Sequence, residues 1–209
     1  MKTEGCYMEN TTDILNKLAL ENNISLQEMP DIDLYMDQVI QLFDHTFKTT
    51  KRNDDEKVLT KTMINNYAKG KLFIPIKNKK YSKKHLILIS LVYQLKGSLS
   101  INDIKSTLGI INSKLTNEDF ELEKFYKSFL SIQQRNAVDF EKEFQKRVDD
   151  AHSEVARLEE KDRDNLEKIL LILSLVNISN SYRRAAELLI DQLKEETLIV
   201  PITAINKKT

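Results

Sequence analysis

Apolar residues recur in steps of three and four from Phe125 to Leu158, a span of 34 residues. This is the period of one face of an α-helix, which would be about 50 Å long over that span. A helix of that length in a chain of 209 residues must pack against later helices or against a second subunit. The stripe consists of Phe125, Phe129, Ile132, Asn136, Phe140, Phe144, Val148, Ala151, Val155 and Leu158.

The partners available within the chain are two apolar segments, residues 166–176 and 182–193, with Ser-Asn-Ser between them as a predicted break. Asn136 could fix the register of a coiled coil, or it could mark where the stripe meets solvent. We predict a helical dimerisation or regulatory region over residues 116–200 and a frayed tail over 201–209. Whether the long helix pairs within the chain or across a dimer stays open at this point.

The composition favours an all-α fold, because the chain has only four Gly, three Pro and no Trp. So few glycines leave no place for a Walker A loop or a G-x-G-x-x-G fingerprint. The single cysteine, Cys6, excludes a disulfide framework and a multi-cysteine metal site. Asp149 and His152 form only half of the carboxylate and histidine pairing of di-metal bundles. We therefore predict no enzyme activity, no cofactor and no metal.

Ser82 and His85 are spaced as a possible nucleophile and base, but neither a nucleophile elbow nor an oxyanion glycine accompanies them. We interpret His85 as a helix-entry histidine. The N-terminal sequence lacks the apolar core of a signal peptide, and the longest apolar-rich run, 169–182, is shorter than the ~20 residues of a membrane span. We predict a cytoplasmic protein without membrane contact and a weakly structured segment over residues 1–27.

Charge is balanced overall, 32 basic against 32 acidic residues, but it is segregated along the chain. Residues 48–84 contain twelve basic and three acidic residues, whereas residues 1–47 contain two and nine. Within residues 65–86 there are seven lysines and no acidic residue. A local basic surface attracts anions whatever the total charge of the protein is.

Capping residues, prolines and glycines predict where the elements around this basic run begin and end. Pro30 predicts the first position of an amphipathic helix that ends near Phe47. Thr60 caps a short polar helix that ends at Gly70, a residue free to become left-handed. A proline-containing basic hairpin or wing follows. Ser82 then caps an apolar helix closed by Gly97, and Ser100 caps a short helix that stops at Gly109.

This order of elements, with its motifs, resembles the winged helix-turn-helix of MerR-type transcription regulators. Residues 28–110 are also similar to the uncharacterised bacterial domain-of-unknown-function family 1836, a family that supplies no function by its name. At Asn65 and Asn66 the sequence departs from the MerR pattern, which has Arg-Tyr there. The residues that match are Thr60, Ile64, Tyr67, Leu72, Pro75, Tyr81, Ser82, His85, Leu86, Leu95, Lys96, Leu99, Ser100, Ile101, Asp103 and Ile104.

The residue chemistry allows DNA contact independently of the resemblance. Asparagine pairs with the adenine edge in the major groove, and lysines on a wing or at a helix start bind phosphates. Tyr67 and Tyr81 are expected to support the wing as buried residues. The predicted DNA-binding residues are Thr60, Lys61, Asn65, Asn66, Lys69, Lys71, Lys77, Lys79, Lys80, Lys83 and Lys84.

We therefore expect an all-α protein in which a MerR-like winged helix-turn-helix with a minimal β wing, residues 28–110, precedes long antiparallel helices. The expected function is regulation of transcription by binding double-stranded DNA as a homodimer. The alternative is a helical adaptor that binds another protein through the same surfaces and does not bind DNA. The sequence leaves open the DNA target, the existence of a small-molecule effector, and whether the protein activates or represses.

Overall fold

The structure is a computed structural model that describes residues 4–158 and 160–205. These residues form seven α-helices, a short 3-10 helix and two two-residue strands, so the predicted all-α fold is confirmed. In chain order the elements are α1 (Glu4–Leu18), β1 (Leu34–Tyr35), α2 (Met36–Thr46), the 3-10 helix (Lys48–Thr50), α3 (Lys61–Lys69), β2 (Lys80–Tyr81), α4 (Lys83–Leu95), α5 (Ile101–Asn117), α6 (Leu122–Ala156) and α7 (Arg163–Ile205).

The main hydrophobic core lies in the first part of the chain, and its buried residues run from Ile24 to Tyr126. Helix α4 is its centre, because every residue from His85 to Val92 is buried and the helix is therefore covered on all sides. Tyr126, at the start of α6, closes the core by donating a hydrogen bond from its hydroxyl to the Ile24 carbonyl oxygen at 2.8 Å. We call residues 24–129 the module and residues 130–205 the arm.

Helix α2 begins at Met36, so the prediction that Pro30 opens it was wrong. Leu34 and Tyr35 instead pair in antiparallel register with Tyr81 and Lys80, which keeps the chain extended up to Tyr35. The Tyr35 backbone N–H then donates to Gln38 Oε1 at 2.8 Å, the contact that begins the helix. The start of α2 is thus decided by a strand partner that lies some 45 residues away in the sequence.

Helix α5 continues through Gly109 to Asn117, so the prediction that it stops at Gly109 was wrong. Leu108 is buried, and the Asn112 side chain donates to the Leu72 carbonyl oxygen at 3.1 Å. These contacts hold the turn beyond the glycine and outweigh its cost of about 1 kcal/mol in a helix. Helix α6 consequently begins at Leu122, not at Thr116. In contrast to the weak structure expected over residues 1–27, Glu4–Leu18 forms α1.

The arm consists of α6 from residue 130 onward together with α7, and the two helices run antiparallel within one chain. Arg147 donates to Ser174 Oγ at 3.3 Å, and His152 Nδ1 lies 2.8 Å from Glu167 Oε1. A later residue of α6 thus contacts an earlier residue of α7, as expected for antiparallel helices. Farther along, Lys194 of α7 forms an ion pair of 2.9 Å with Asp103 of α5. That contact returns the end of the arm to the module.

Helix α7 is continuous, so the predicted break at residues 179–181 was wrong. The Ser181 hydroxyl donates to the Asn177 carbonyl oxygen at 3.2 Å, which satisfies this polar group inside the helix. The helix also extends through Ile205 over part of the tail that was predicted to be frayed, and residues 206–209 lie outside the described residues.

The apolar stripe predicted for α6 is buried only in its second half. Phe144, Val148, Ala151 and Val155 are buried, and α7 is the helix that packs along this part of α6. In the first half Phe125, Ile132 and Asn136 are exposed, while Leu122, Tyr126 and Ala137 are buried instead. Asn136 is therefore not a buried register residue. Of the described helices, none has an apolar stretch long enough to cross a membrane.

Candidate nucleic-acid interface

Helix α3 presents a polar side to solvent and is held from behind by the module core. Thr60 begins it as predicted, with Oγ1 accepting from the Met63 backbone N–H at 3.1 Å. Ile64 and Tyr67 are buried, and burial raises the pKa of the Tyr67 hydroxyl. Asn65 and Asn66 lie between them in sequence and are both exposed. The two asparagines thus face outward on a supported helix.

The end of α3 uses a lysine where glycine is usual. The Leu72 N–H donates to the Tyr67 carbonyl and the Lys71 N–H to the Ala68 carbonyl, each at 3.0 Å, which is the Schellman pattern. Lys71 is the left-handed residue, with φ of 57°, whereas Gly70 has φ of −70°. Gly70 therefore marks the end of α3 as predicted, but the left-handed conformation that it was free to take is adopted by Lys71. A Cβ on Gly70 would lie only 3.2 Å from the Asn66 carbonyl oxygen, so the glycine relieves a close approach.

The lysine turn, residues 77–80, is a tight reversal in the chain. The Lys80 N–H donates to the Lys77 carbonyl at 3.0 Å, and Asn78 and Lys79 both have positive φ, of 51° and 57°. Positive φ at both central residues is the signature of a type I′ turn. Lys77 and Lys79 are exposed. The turn is followed by β2, whose strand partner is β1 before helix α2.

His85 attaches this turn to helix α4. Its ring is buried in edge-to-face contact with Phe73 and Tyr81, both at 5.9 Å between centroids. Nδ1 accepts from the Ser82 backbone N–H at 3.1 Å and lies 2.8 Å from Ser82 Oγ, and Nε2 is buried near the Pro75 and Ile74 carbonyls. Burial lowers the pKa of His85, and these carbonyls oppose that effect. The contacts agree with the interpretation of His85 as a helix-entry residue.

The N-terminal end of α2 joins α3 to the lysine turn. Lys61 of α3 forms an ion pair of 2.8 Å with Asp37, and Lys80 lies over the ring of Tyr35 at 5.3 Å from its centroid. Asp31 also pairs with Lys83 at 3.3 Å. These acidic and aromatic partners were not predicted as members of the site. Their separation from the lysines in sequence gave no signal of the contact.

The structure thus divides the predicted DNA-binding residues into two groups. Lys61, Lys80 and Lys83 have partners within the protein, and Thr60 is occupied as a cap. The other group is exposed and, among the described residues, forms no ion pair: Asn65, Asn66, Lys69, Lys71, Lys77, Lys79 and Lys84. Within residues 4–158 and 160–205 no cluster of three His, Cys, Asp or Glu side chains is arranged to hold a metal ion.

Comparison with known proteins gives one match, and it covers the main hydrophobic core. The family model described as Domain of unknown function (DUF1836) matches residues 24–129, and the buried core runs from Ile24 to Tyr126. No curated protein and no solved structure matches the chain. Since the match covers half of the sequence and the complete core of the module, the chain belongs to the DUF1836 family.

Proposed function

We propose that this protein is a DNA-binding transcriptional regulator of MerR-like type, acting as a homodimer in the cytoplasm. The observation that carries the proposal is the exposed pair Asn65 and Asn66 on α3, a helix supported by buried Ile64 and Tyr67. A short helix held this way is suited to entering the major groove, where an asparagine amide can bind an adenine edge in a bidentate manner.

Charge around α3 supports the same proposal. Lys69 and Lys71 lie at its C-terminal end, and Lys77 and Lys79 project from the lysine turn. Because these four cations form no ion pair among the described residues, they are free to replace counterions on phosphates. Lys61 and Lys83 are given a different role, since Asp37 and Asp31 already hold them and orient the elements that carry the free lysines.

The decisive test is DNA binding over a salt series. Lys77→Gln with Lys79→Gln removes two charges from the lysine turn, and Lys142→Gln with Lys146→Gln removes two exposed charges from the arm as a matched control. We expect the turn variant to bind DNA more weakly at every sequence and to reduce the slope of log K against log salt by about 2, whereas the control keeps the wild-type slope.

Specificity is measured separately with Asn65→Ala and Asn66→Ala. Removing one bidentate base contact should cost about 1–3 kcal/mol of discrimination and leave the salt slope unchanged. An absence of any DNA binding by the wild type at low salt, or equal effects of the turn and arm variants, would refute the proposal.

The engagement of Lys61 and Lys83 by aspartates favours one second candidate, a helical adaptor that binds an acidic protein and no DNA. In that case the exposed lysines face carboxylates of a partner instead of phosphates. The adaptor hypothesis predicts a stable heteromeric complex in pull-downs that the turn variant weakens, together with unchanged mobility of DNA in gel-shift experiments.

A further inference from the structure

The outer face of helix α7 carries an apolar stripe that no other part of the described chain covers. Ile169, Ile172, Leu173 and Val176 are exposed by 51%, 58%, 60% and 53%. Their spacing of three, four and seven places them on one side of the helix. Buried Glu167, which pairs with His152 of α6, lies on the opposite side. The stripe is therefore separate from the face that packs within the chain.

The two ends of this stripe carry opposite charges. Ile169, Val176 and Arg183 follow one another at intervals of seven residues along α7, so the basic residue lies in line with the apolar centre. Asp162, seven residues before Ile169, directly precedes the first turn of the helix and marks its acidic end. Asp162 accepts from the Asn165 side chain at 3.0 Å, and Arg183 donates to Asn180 Oδ1 at 3.2 Å. Neither charge takes part in an ion pair among the described residues.

This order of residues is complementary to itself when it is reversed. If two copies of the helix lie antiparallel about a point between residues 172 and 173, Ile169 meets Val176, Asn165 meets Asn180, and Asp162 meets Arg183. A two-fold axis makes every such contact occur twice. A parallel pairing would instead place Asp162 against Asp162 and Arg183 against Arg183, which like-charge repulsion disfavours.

We propose that this stripe is the homodimer seam, occupied by α7 of a second copy of the chain in antiparallel orientation. Pairing over residues 162–183 gives a seam about 33 Å long, with an apolar centre and charged ends. The two arms then form a four-helix assembly in which α6 stays on the outside. The inference rests on the homodimer of the proposed function and is independent of whether the module binds DNA.

The seam is tested first by a matched pair of leucines on the intact protein. Leu173→Lys places a charge in the stripe, whereas Leu189→Lys places the same charge at an equally exposed position on the other side of α7, since Leu189 is exposed by 61%. Light scattering over a concentration series should show the dimer Kd rising at least about tenfold for Leu173→Lys only. A monomeric wild type, or equal effects of both variants, would overturn the proposal.

Orientation is tested by charge reversal. Asp162→Arg and Arg183→Asp should each weaken the dimer, and the double variant should return its Kd to within about threefold of wild type, because opposite charges again meet at both ends. In a parallel dimer the double variant would still oppose like charges, so a failure to restore would refute the antiparallel seam.

A covalent trap gives the same answer without relying on affinity. In a Cys6→Ser background, mixed chains carrying Ile169→Cys and Val176→Cys should form a disulfide-linked heterodimer, while neither variant crosslinks with itself. Self-linked Ile169→Cys dimers indicate a parallel pairing and contradict the proposal. DNA binding of the variant with Lys77→Gln and Lys79→Gln is measured alongside. A loss of DNA binding by that variant while its dimer stays intact tests the proposed function. A loss of the dimer in the Leu173→Lys variant tests the seam.

Discussion

The module and the arm bury apolar surface in different ways. The module buries 24 hydrophobic residues in one cluster drawn from short helices, turns and two strands. Among the residues whose burial is described, the arm, with its contacts to the module, buries six more, namely Ala137, Phe144, Val148, Ala151, Val155 and Ile190. A cluster surrounded on all sides fixes position in three dimensions, whereas two paired helices leave their outer faces exposed.

Backbone conformation differs in the same way. Among the described residues the non-glycine positions with positive φ are Ala19, Lys71, Asn78 and Lys79, and none of them lies in the arm. Three of them belong to the candidate nucleic-acid interface. Left-handed conformations of this kind are costly and persist where the surrounding packing holds them, as it does beside a dense core. The module can therefore carry an irregular binding surface, and the arm is suited to a regular seam.

The largest expected effect compares one phenylalanine from each region. Phe43→Ala removes a fully buried ring from the module and should lower the free energy of unfolding by about 3–5 kcal/mol. Phe144→Ala removes a buried ring from the arm, where α6 packs against α7. Amide hydrogen exchange should become faster throughout the protein in the Phe43→Ala variant. In the Phe144→Ala variant it should become faster in the arm alone. Uniformly faster exchange in both would mean that the regions are one cooperative unit.

The joint between the two regions is probed by Tyr126→Phe. The variant keeps the ring but leaves the Ile24 carbonyl without its 2.8 Å hydrogen bond, and the same burial that raises the pKa of Tyr126 to about 12 keeps water away. We expect the free energy of unfolding, measured in urea by following the unfolding of the module, to fall by about 1–3 kcal/mol. Phe129→Leu, at the next turn of α6 and only partly buried, serves as a control with a smaller loss. A Tyr126→Phe protein as stable as wild type would show that this hydrogen bond does not stabilise the joint.

A pH-dependent effect is expected in the module through His85. Burial lowers its pKa below the usual 6.5, so the unfolded chain binds a proton at a higher pH than the folded protein does. The stability that neutral His85 contributes is therefore fully present above about pH 6.5, and it is lost as the pH falls through the pKa that His85 has in the folded protein. His85→Gln keeps an acceptor for the Ser82 N–H without titrating, and should flatten the change in urea midpoint between pH 7.5 and 5.5. The exposed His45→Gln variant should retain the wild-type change.

The smallest effect concerns the left-handed lysine that ends α3. Lys71→Gly removes the strain of φ at 57° and should stabilise the protein by about 1 kcal/mol. Lys69→Gly, inside the last turn of the helix, should destabilise it by a similar amount. The same Lys71→Gly protein should bind DNA more weakly if the proposed function is correct, so that stability and binding change in opposite directions. Thermal unfolding and gel-shift assays measure the two.

Local chemistry was the part of the structure that the sequence predicted well. Thr60, Ser82 and Ser100 begin helices as expected, because a cap depends only on residues within one turn. The burial of Tyr67 and Tyr81 was also expected from their place in the pattern. One error arose where distant contacts override a local signal, because Gly109 looks like a helix end and packing on the core continues α5 beyond it. At the exposed residues 179–181 the helix continues because the Ser181 hydroxyl donates to the Asn177 carbonyl oxygen within α7.

For the candidate site, the sequence identified the exposed asparagines and lysines but not their partners. Asp37, Tyr35 and Asp31 meet Lys61, Lys80 and Lys83 only because β1 pairs with β2 and brings the start of α2 beside α3 and the lysine turn. Pairing across so many residues has no periodic signature in the sequence, so the division into held and free lysines could not be predicted from it.

By itself the sequence determined an all-α chain with a segregated basic segment, short capped helices and two long apolar patterns, since each of these follows from period, charge and capping within a few residues. The tertiary structure decided which apolar face is covered. The second half of the α6 stripe is buried by α7 of the same chain, and this leaves Ile169, Ile172, Leu173 and Val176 of α7 outside. A helical period fixes which residues share a face, but the partner of that face depends on where the rest of the chain lies.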